Sequence, residues 1–160
     1  MKIYFAAPLF SESEQLYNAT VVEKIRATYP EVAVYLPQEA VAINDKNSFA
    51  NSQQIAQYDT DELLASQLVI AVLDGITIDA GVASEIGVAF QAGIPILGLF
   101  TDVRQNGATN QQKLDALQEV AESQFPYVNL YTAGLIKKNG KILSSSSDLI
   151  AEIQQYLPSH

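Results

Sequence analysis

Cysteine is absent from the sequence, and the one histidine is its last residue. Disulfides, thiolate metal sites and thiol nucleophiles are thereby excluded, as are histidine triads and zinc clusters. Chemistry is left to carboxylates, hydroxyls, amides and lysines, and neither a metal nor a cofactor is expected. Basic residues are scarce, nine against eighteen acidic ones, for a net charge of −9. That charge repels phosphate polymers and anionic lipid, so neither nucleic acid nor a membrane is an expected partner. Long apolar runs are also missing. Residues 3–10 form a short one that Lys2 precedes and Ser-Glu-Ser-Glu follows, which suits a first strand better than a signal-peptide core. Nothing else approaches the length needed to span a bilayer. No G-x-G-x-x-G follows that strand, against a Rossmann dinucleotide enzyme. A soluble, cytoplasmic protein is expected.

The 160 residues, 48% of them hydrophobic, suit one domain, 1–160, with its own core. Apolar, β-rich runs alternate with helical patterns, the signature of an α/β protein. The expected fold is a doubly wound, flavodoxin-like, five-stranded parallel sheet with helices on both faces. Strands are expected at 2–6, 32–36, 68–73, 95–100 and 127–131. Helices are expected at 12–28, 52–66, 82–92, 111–123 and 148–156. Asn139-Gly140 suggests a tight hairpin turn within 135–143, and the serine tract 144–147 a loop that ends in a helix cap. Ligands of such sheets sit beyond the carboxyl ends of the strands, here at loops 7–11, 74–81 and 101–110.

The stretch DAGVASEIGVAF, residues 79–90, sets one acid, Glu85, among small and apolar residues. At about 100° per residue, Val82, Ile86, Phe90 and Gly93 form an apolar stripe with Glu85 at its edge. Placed near the start of a helix, Glu85 would be kept ionised by the helix dipole. It is either a dipole-complementing acid or a reactive one. Asp79 stands at the end of the preceding loop, and Asp59 and Asp61 on the helix before the neighbouring strand, so several acids converge on one crevice. Asp79 also suits an N-cap, Asp59 and Asp61 a solvated helix, and Asp74 a strand end; for Asp61 and Asp74 those plainer roles are preferred. Two carboxylates without metal or histidine are the minimal equipment for substitution at an acetal-like carbon. Tyr4, near the end of strand one, suits either a core position or the orienting of a buried carboxylate. Phe10 is either a flat surface for an aromatic ligand or loop packing.

These stretches resemble the nucleoside 2-deoxyribosyltransferase family: IYFAAPLF at 3–10, YDTDELLASQLVIAVLDG at 58–75 and DAGVASEIGVAFQAGIPILGLFTD at 79–102. The last is the most specific, since the family carries D-x-G-x-x-x-E-[LIV]-G-x-A there. The resemblance implies that Glu85 is the nucleophile, Asp79 holds sugar hydroxyls, Asp59 exchanges a proton with the base, Tyr4 positions the nucleophile and Phe10 stacks on the base. It further implies that Asn110, or else Asn129, reaches a neighbouring subunit's site, and that Gln38 or Glu39 meets the base edge. The C-terminal carboxylate that family members place in the adjacent pocket has no counterpart in Leu-Pro-Ser-His. Related enzymes of 5′-monophosphates put Ser, Gly and Arg in the first loop. Here AAPLFSESE offers Glu12 and Glu14 and no base, which favours a free nucleoside.

The expected reaction is transfer of 2-deoxyribose between nucleobases with net retention, through a covalent glycosyl-glutamate. In retaining glycosidases the two carboxyls stand about 5–5.5 Å apart. Partners are 2-deoxynucleosides, free nucleobases and further copies of the chain, from a dimer to a hexamer, with each pocket closed by a neighbour. The rivals are a nucleoside or nucleotide hydrolase on the same scaffold and a non-enzymatic nucleotide-binding module.

Overall fold

The structure is a computed structural model that describes residues 1–40, 49–104, 109–116, 118–121 and 128–158. Five parallel strands lie in the order β2-β1-β3-β4-β5: β1 (Lys2–Ala6), β2 (Ala33–Tyr35), β3 (Leu68–Val72), β4 (Ile96–Leu99) and β5 (Gly140–Leu143). Strand order reverses between β1 and β3, so a crevice opens beyond their carboxyl ends.

Alternation along the strands divides two cores. Ile3 and Phe5 of β1, with Leu68, Ile70 and Val72 of β3, pack against α1 (Glu12–Thr28) and α6 (Ser146–Ile153). Tyr4 and Ala6, with Val69 and Ala71, face α2 (Ser52–Leu64), α3 (Ala80–Gln91) and α5 (Leu130–Lys138). Both faces of the central strands are therefore apolar, as burial beneath helices on each side demands.

Helix starts follow side-chain caps. Ser11 and Glu14 form a capping box at α1, and Asn51 and Gln54 form one at α2. These reciprocal bonds satisfy amides that a helix start leaves without partners. Asp79 caps α3 by accepting from the Val82 amide at 3.1 Å.

The last third of the chain departs from the expected pattern. The strand expected at 127–131 is not formed by its described residues. Asn129 instead caps α5, accepting from the Tyr131 and Thr132 amides, and Lys137 and Lys138 complement the dipole at its other end. The run 135–143 is no hairpin. Asn139 ends α5, and Gly140 opens β5, the true fifth strand. A β-carbon at Gly140 would stand 1.8 Å from the Ile96 carbonyl oxygen, so the Asn-Gly pair marks a close approach of strands. A short helix, α4 (Gln111–Ala116), covers the front of the helix expected at 111–123; residues 117 and 122–127 lie outside the described residues. Among the described residues no helix is long and apolar enough to cross a membrane.

Candidate active site

On the α2/α3 side of the sheet a cavity of about 350 Å³ is lined by Phe10 and its neighbours Ala7 and Leu9, by Pro37, by Ile55 and Asp59 of α2, and by Asp79, Gly81, Val82 and Glu85. Four of the acids and aromatics expected from the sequence thus border one space. Tyr4, fully buried beneath it, donates its hydroxyl to Glu85 Oε1 at 2.5 Å.

Glu85 reaches the cavity because Val82, Ile86 and Ala89 bury the adjoining face of α3. The helix begins at Ala80, two residues before the expected start, which moves Glu85 into its second turn. The dipole's influence falls off within the first turn, and burial prevails. Desolvation pushes the Glu85 carboxyl up to about 7; the Tyr4 hydrogen bond opposes this, while Asp59 and Asp79 add to it. Tyr4 is itself pushed far above the ordinary phenol range by burial, then by Glu85. Its hydroxyl is a permanent donor.

Asp59 stands one turn from Ile55, which lines the cavity, and one turn from the buried Leu63. It therefore lies on the inner stripe of α2, where the i, i+4 spacing of a helix repeats. Desolvation raises its carboxyl above the usual aspartate value; a bond from the Tyr35 hydroxyl at 3.1 Å opposes the rise, and Glu62 adds to it.

Tyr35 does not stand out in the sequence. Its signal is the alternation in VAVYL, which turns Val32, Val34 and Leu36 into the α1-side core and leaves Tyr35 on the opposite face. In register it pairs with Tyr4. The two rings stack at 5.3 Å between centroids, and each hydroxyl serves a different carboxyl.

Asp79 both caps α3 and lines the cavity. A β-carbon at Gly81 would meet its Oδ1 at 3.0 Å, so the glycine leaves room for that cap. Phe10 presents its ring at the mouth, 79% exposed. Gln38 lies outside the lining: its amide accepts from Asn18 and donates to the Gln15 carbonyl. Glu39 pairs with Arg26 at 2.7 Å. Asn110 and Asn129 are exposed, and their side-chain oxygens accept from the Lys113 amide and from the start of α5.

A larger cavity, about 590 Å³, lies on the α1 side. Its acids are engaged. Asp74 accepts from the Thr101 amide and hydroxyl at 2.6 and 2.7 Å, Asp102 pairs with Arg104, and Glu14 holds the capping box. In the smaller cavity Glu85, Asp59 and Asp79 each accept through one oxygen only, among the described residues. Among the described residues no group of three or more His, Asp or Glu side chains is arranged to hold a metal ion.

A five-stranded parallel α/β fold with paired carboxyls at its strand-end crevice suits an enzyme acting on a small polar ligand. The nucleoside 2-deoxyribosyltransferase family model matches residues 3–120, and the chain belongs to that family. No curated protein sequence matches it. A conserved protein of Enterococcus faecalis V583 is 60% identical, with a TM-score of 0.91 and 98% of each chain covered. A 2-desoxiribosyltransferase of Leishmania mexicana superposes with a TM-score of 0.63 at 18% identity, covering 98% of this chain and 99% of that one. A CMP N-glycosidase of Clostridium botulinum reaches 0.51 at 19% identity, over 98% and 100%. The latter two likenesses concern the fold.

Proposed function

We propose that the protein transfers 2-deoxyribose between nucleobases by double displacement through a glycosyl ester on Glu85. The observation that carries this reading is the pairing of Glu85 and Asp59 on one cavity, each with one oxygen held by a tyrosine hydroxyl. Glu85 attacks the anomeric carbon as the bond from that carbon to the base breaks, and Asp59 gives the departing base a proton. An acceptor base then attacks the anomeric carbon of the sugar, Asp59 takes the acceptor's proton, and Glu85 leaves as its carboxylate. Proton and leaving group balance across the cycle, and carboxyls suffice for it. Asp79 accepts from the sugar hydroxyls, and Phe10 offers its ring to the base.

The first loop supports a free nucleoside over a nucleotide. Glu14 accepts from the Phe10 and Ser11 amides at 3.0 and 2.7 Å, so the donors that a 5′-phosphate would use already hold a carboxylate. A phosphate there would face charge repulsion.

Transfer requires that water be kept from the ester. Phe10, Phe49 and Ile76 are exposed, at 79%, 88% and 95%, on the segments leading to the cavity, α2 and Asp79. We place a neighbouring copy over them, giving a cytoplasmic homo-oligomer of two to six chains, with Asn110 or Asn129 reaching the adjacent pocket. Hydrolysis is the second reading, favoured by the exposure of Phe10 at the cavity mouth in the single chain. Incubation with 2′-deoxyinosine and adenine separates the two. New 2′-deoxyadenosine with hypoxanthine establishes transfer; hypoxanthine with free sugar and no new nucleoside replaces it with hydrolysis.

A further inference from the structure

We propose that Tyr35 is a positioning residue for proton transfer: its hydroxyl fixes one oxygen of Asp59 so that the other delivers the proton to the leaving base. The inference rests on the reading of Asp59 as the proton donor, and it assigns a role on β2, a strand that supplies no lining acid.

Tyr35 donates to Asp59 Oδ1 at 3.1 Å. That bond leaves Oδ2 without a partner among the described residues, and no buried side-chain oxygen described lacks one. Oδ2 is therefore not buried, on a side chain that lines the cavity. A carboxylic acid whose two oxygens were equally free would carry its proton on either; a donor on Oδ1 makes that oxygen the acceptor and leaves the acidic hydrogen on Oδ2.

Tyr35 is in turn held on three sides. Its ring stacks on Tyr4 at 5.3 Å, meets Tyr58 at 6.2 Å and 47°, and has the Lys2 ammonium 5.8 Å from its centroid. Lys2 pairs with Glu62 at 2.5 Å, which restrains the acid one turn beyond Asp59. Among the described residues, the charged and titratable groups around Asp59 and Tyr35 are thus Tyr4 and Lys2 from β1, Tyr58 and Glu62 from α2, and Glu85 of α3 with its cap Asp79. Because the Tyr4 ring supports both, the proton donor and the nucleophile share one aromatic platform.

The test compares two donors in Tyr35→Phe, which keeps the ring and removes the hydroxyl. The hypoxanthine of 2′-deoxyinosine needs a proton to leave; the base of 7-methyl-2′-deoxyguanosine is already cationic and needs none. In single-turnover base release, Tyr35→Phe slows the first donor about tenfold or more and leaves the second unchanged, as Asp59→Asn does. The hydroxyl favours ionised Asp59, so its removal also moves the acid limb of the pH profile upward. Ring-fluorinated tyrosine at position 35, a stronger donor with the same shape, moves that limb downward and serves if the phenylalanine variant does not fold. Equal slowing of both donors, or no slowing of either, overturns the role of Tyr35. A wild-type protein that releases base from neither donor overturns the functional reading itself.

Discussion

Tyr4 and Glu85, 81 positions apart in the sequence, meet at 2.5 Å between hydroxyl and carboxyl oxygens. β1 carries the tyrosine into the core, and α3 carries the acid to the edge of its apolar face. One oxygen of Glu85 is thereby held while the other faces the cavity. Removing the hydroxyl in Tyr4→Phe forfeits a bond to a charged group, worth about 1.5–3 kcal/mol. Base release should fall about tenfold to a hundredfold, measured by single turnover with 2′-deoxyinosine.

The pH profile follows from the pair. The productive form carries one proton, on Asp59, with Glu85 ionised. Glu85 is pushed up to about 7, so the single proton of the pair is shared between Glu85 and the productive position on Asp59; above that pH it is lost and kcat/KM falls. At lower pH the pair gains a second proton, and kcat/KM falls again. The profile is a bell whose limbs belong to the coupled carboxyls together. In Tyr4→Phe the bond that lowers Glu85 is gone, and the alkaline limb moves to higher pH.

Holding Glu85 in place costs stability when it is charged. Its folded value, about 7, lies above the ordinary 4.5, so the folded state binds more protons between those values. Stability is fully present below about pH 4.5 and is lost as pH rises through 7. The difference amounts to about 3 kcal/mol. Glu85→Gln, which still accepts from Tyr4, should raise Tm at pH 8 and leave it nearly unchanged at pH 4.5. Thermal unfolding at the two pH values checks this.

Much of this arrangement is legible in the amino-acid sequence. Glu85 stands out because it sits at the edge of the apolar stripe of α3, whereas Asp59, on the largely polar α2, is singled out by the family resemblance and not by periodicity. The parallel sheet is equally plain from runs such as LVIAV, which only a strand covered on both faces sustains. Tyr35 is hidden because a tyrosine on an edge strand satisfies any amphipathic pattern; its role depends on the register that sets it beside Tyr4. The β5 region misleads for a different reason. Asn-Gly has the backbone freedom for a hairpin, whereas here the glycine is required by a contact with Ile96, some forty positions away in the chain. The apolar stripe also overstates the helix dipole at Glu85, because the Asp79 cap starts α3 earlier than the stripe does.

Asp79 has a structural task and a proposed chemical one, which two substitutions separate. Asp79→Asn keeps an oxygen for the Val82 amide, and asparagine caps a helix as well as aspartate. Asp79→Ala removes the cap, at a cost of about 1 kcal/mol. Thermal unfolding should therefore distinguish the alanine variant only. KM for 2′-deoxyinosine should rise in both, because both lose the carboxylate that accepts from the sugar.

The central claim is that Glu85 forms a bond to the sugar. Intact-mass spectrometry of the protein, quenched in acid after incubation with 2′-deoxyinosine and no acceptor base, tests it most directly. The account predicts one added deoxyribosyl group, mapped to Glu85 by peptide analysis and absent from Glu85→Gln. Release of hypoxanthine without any adduct, or an adduct on another residue, would contradict it.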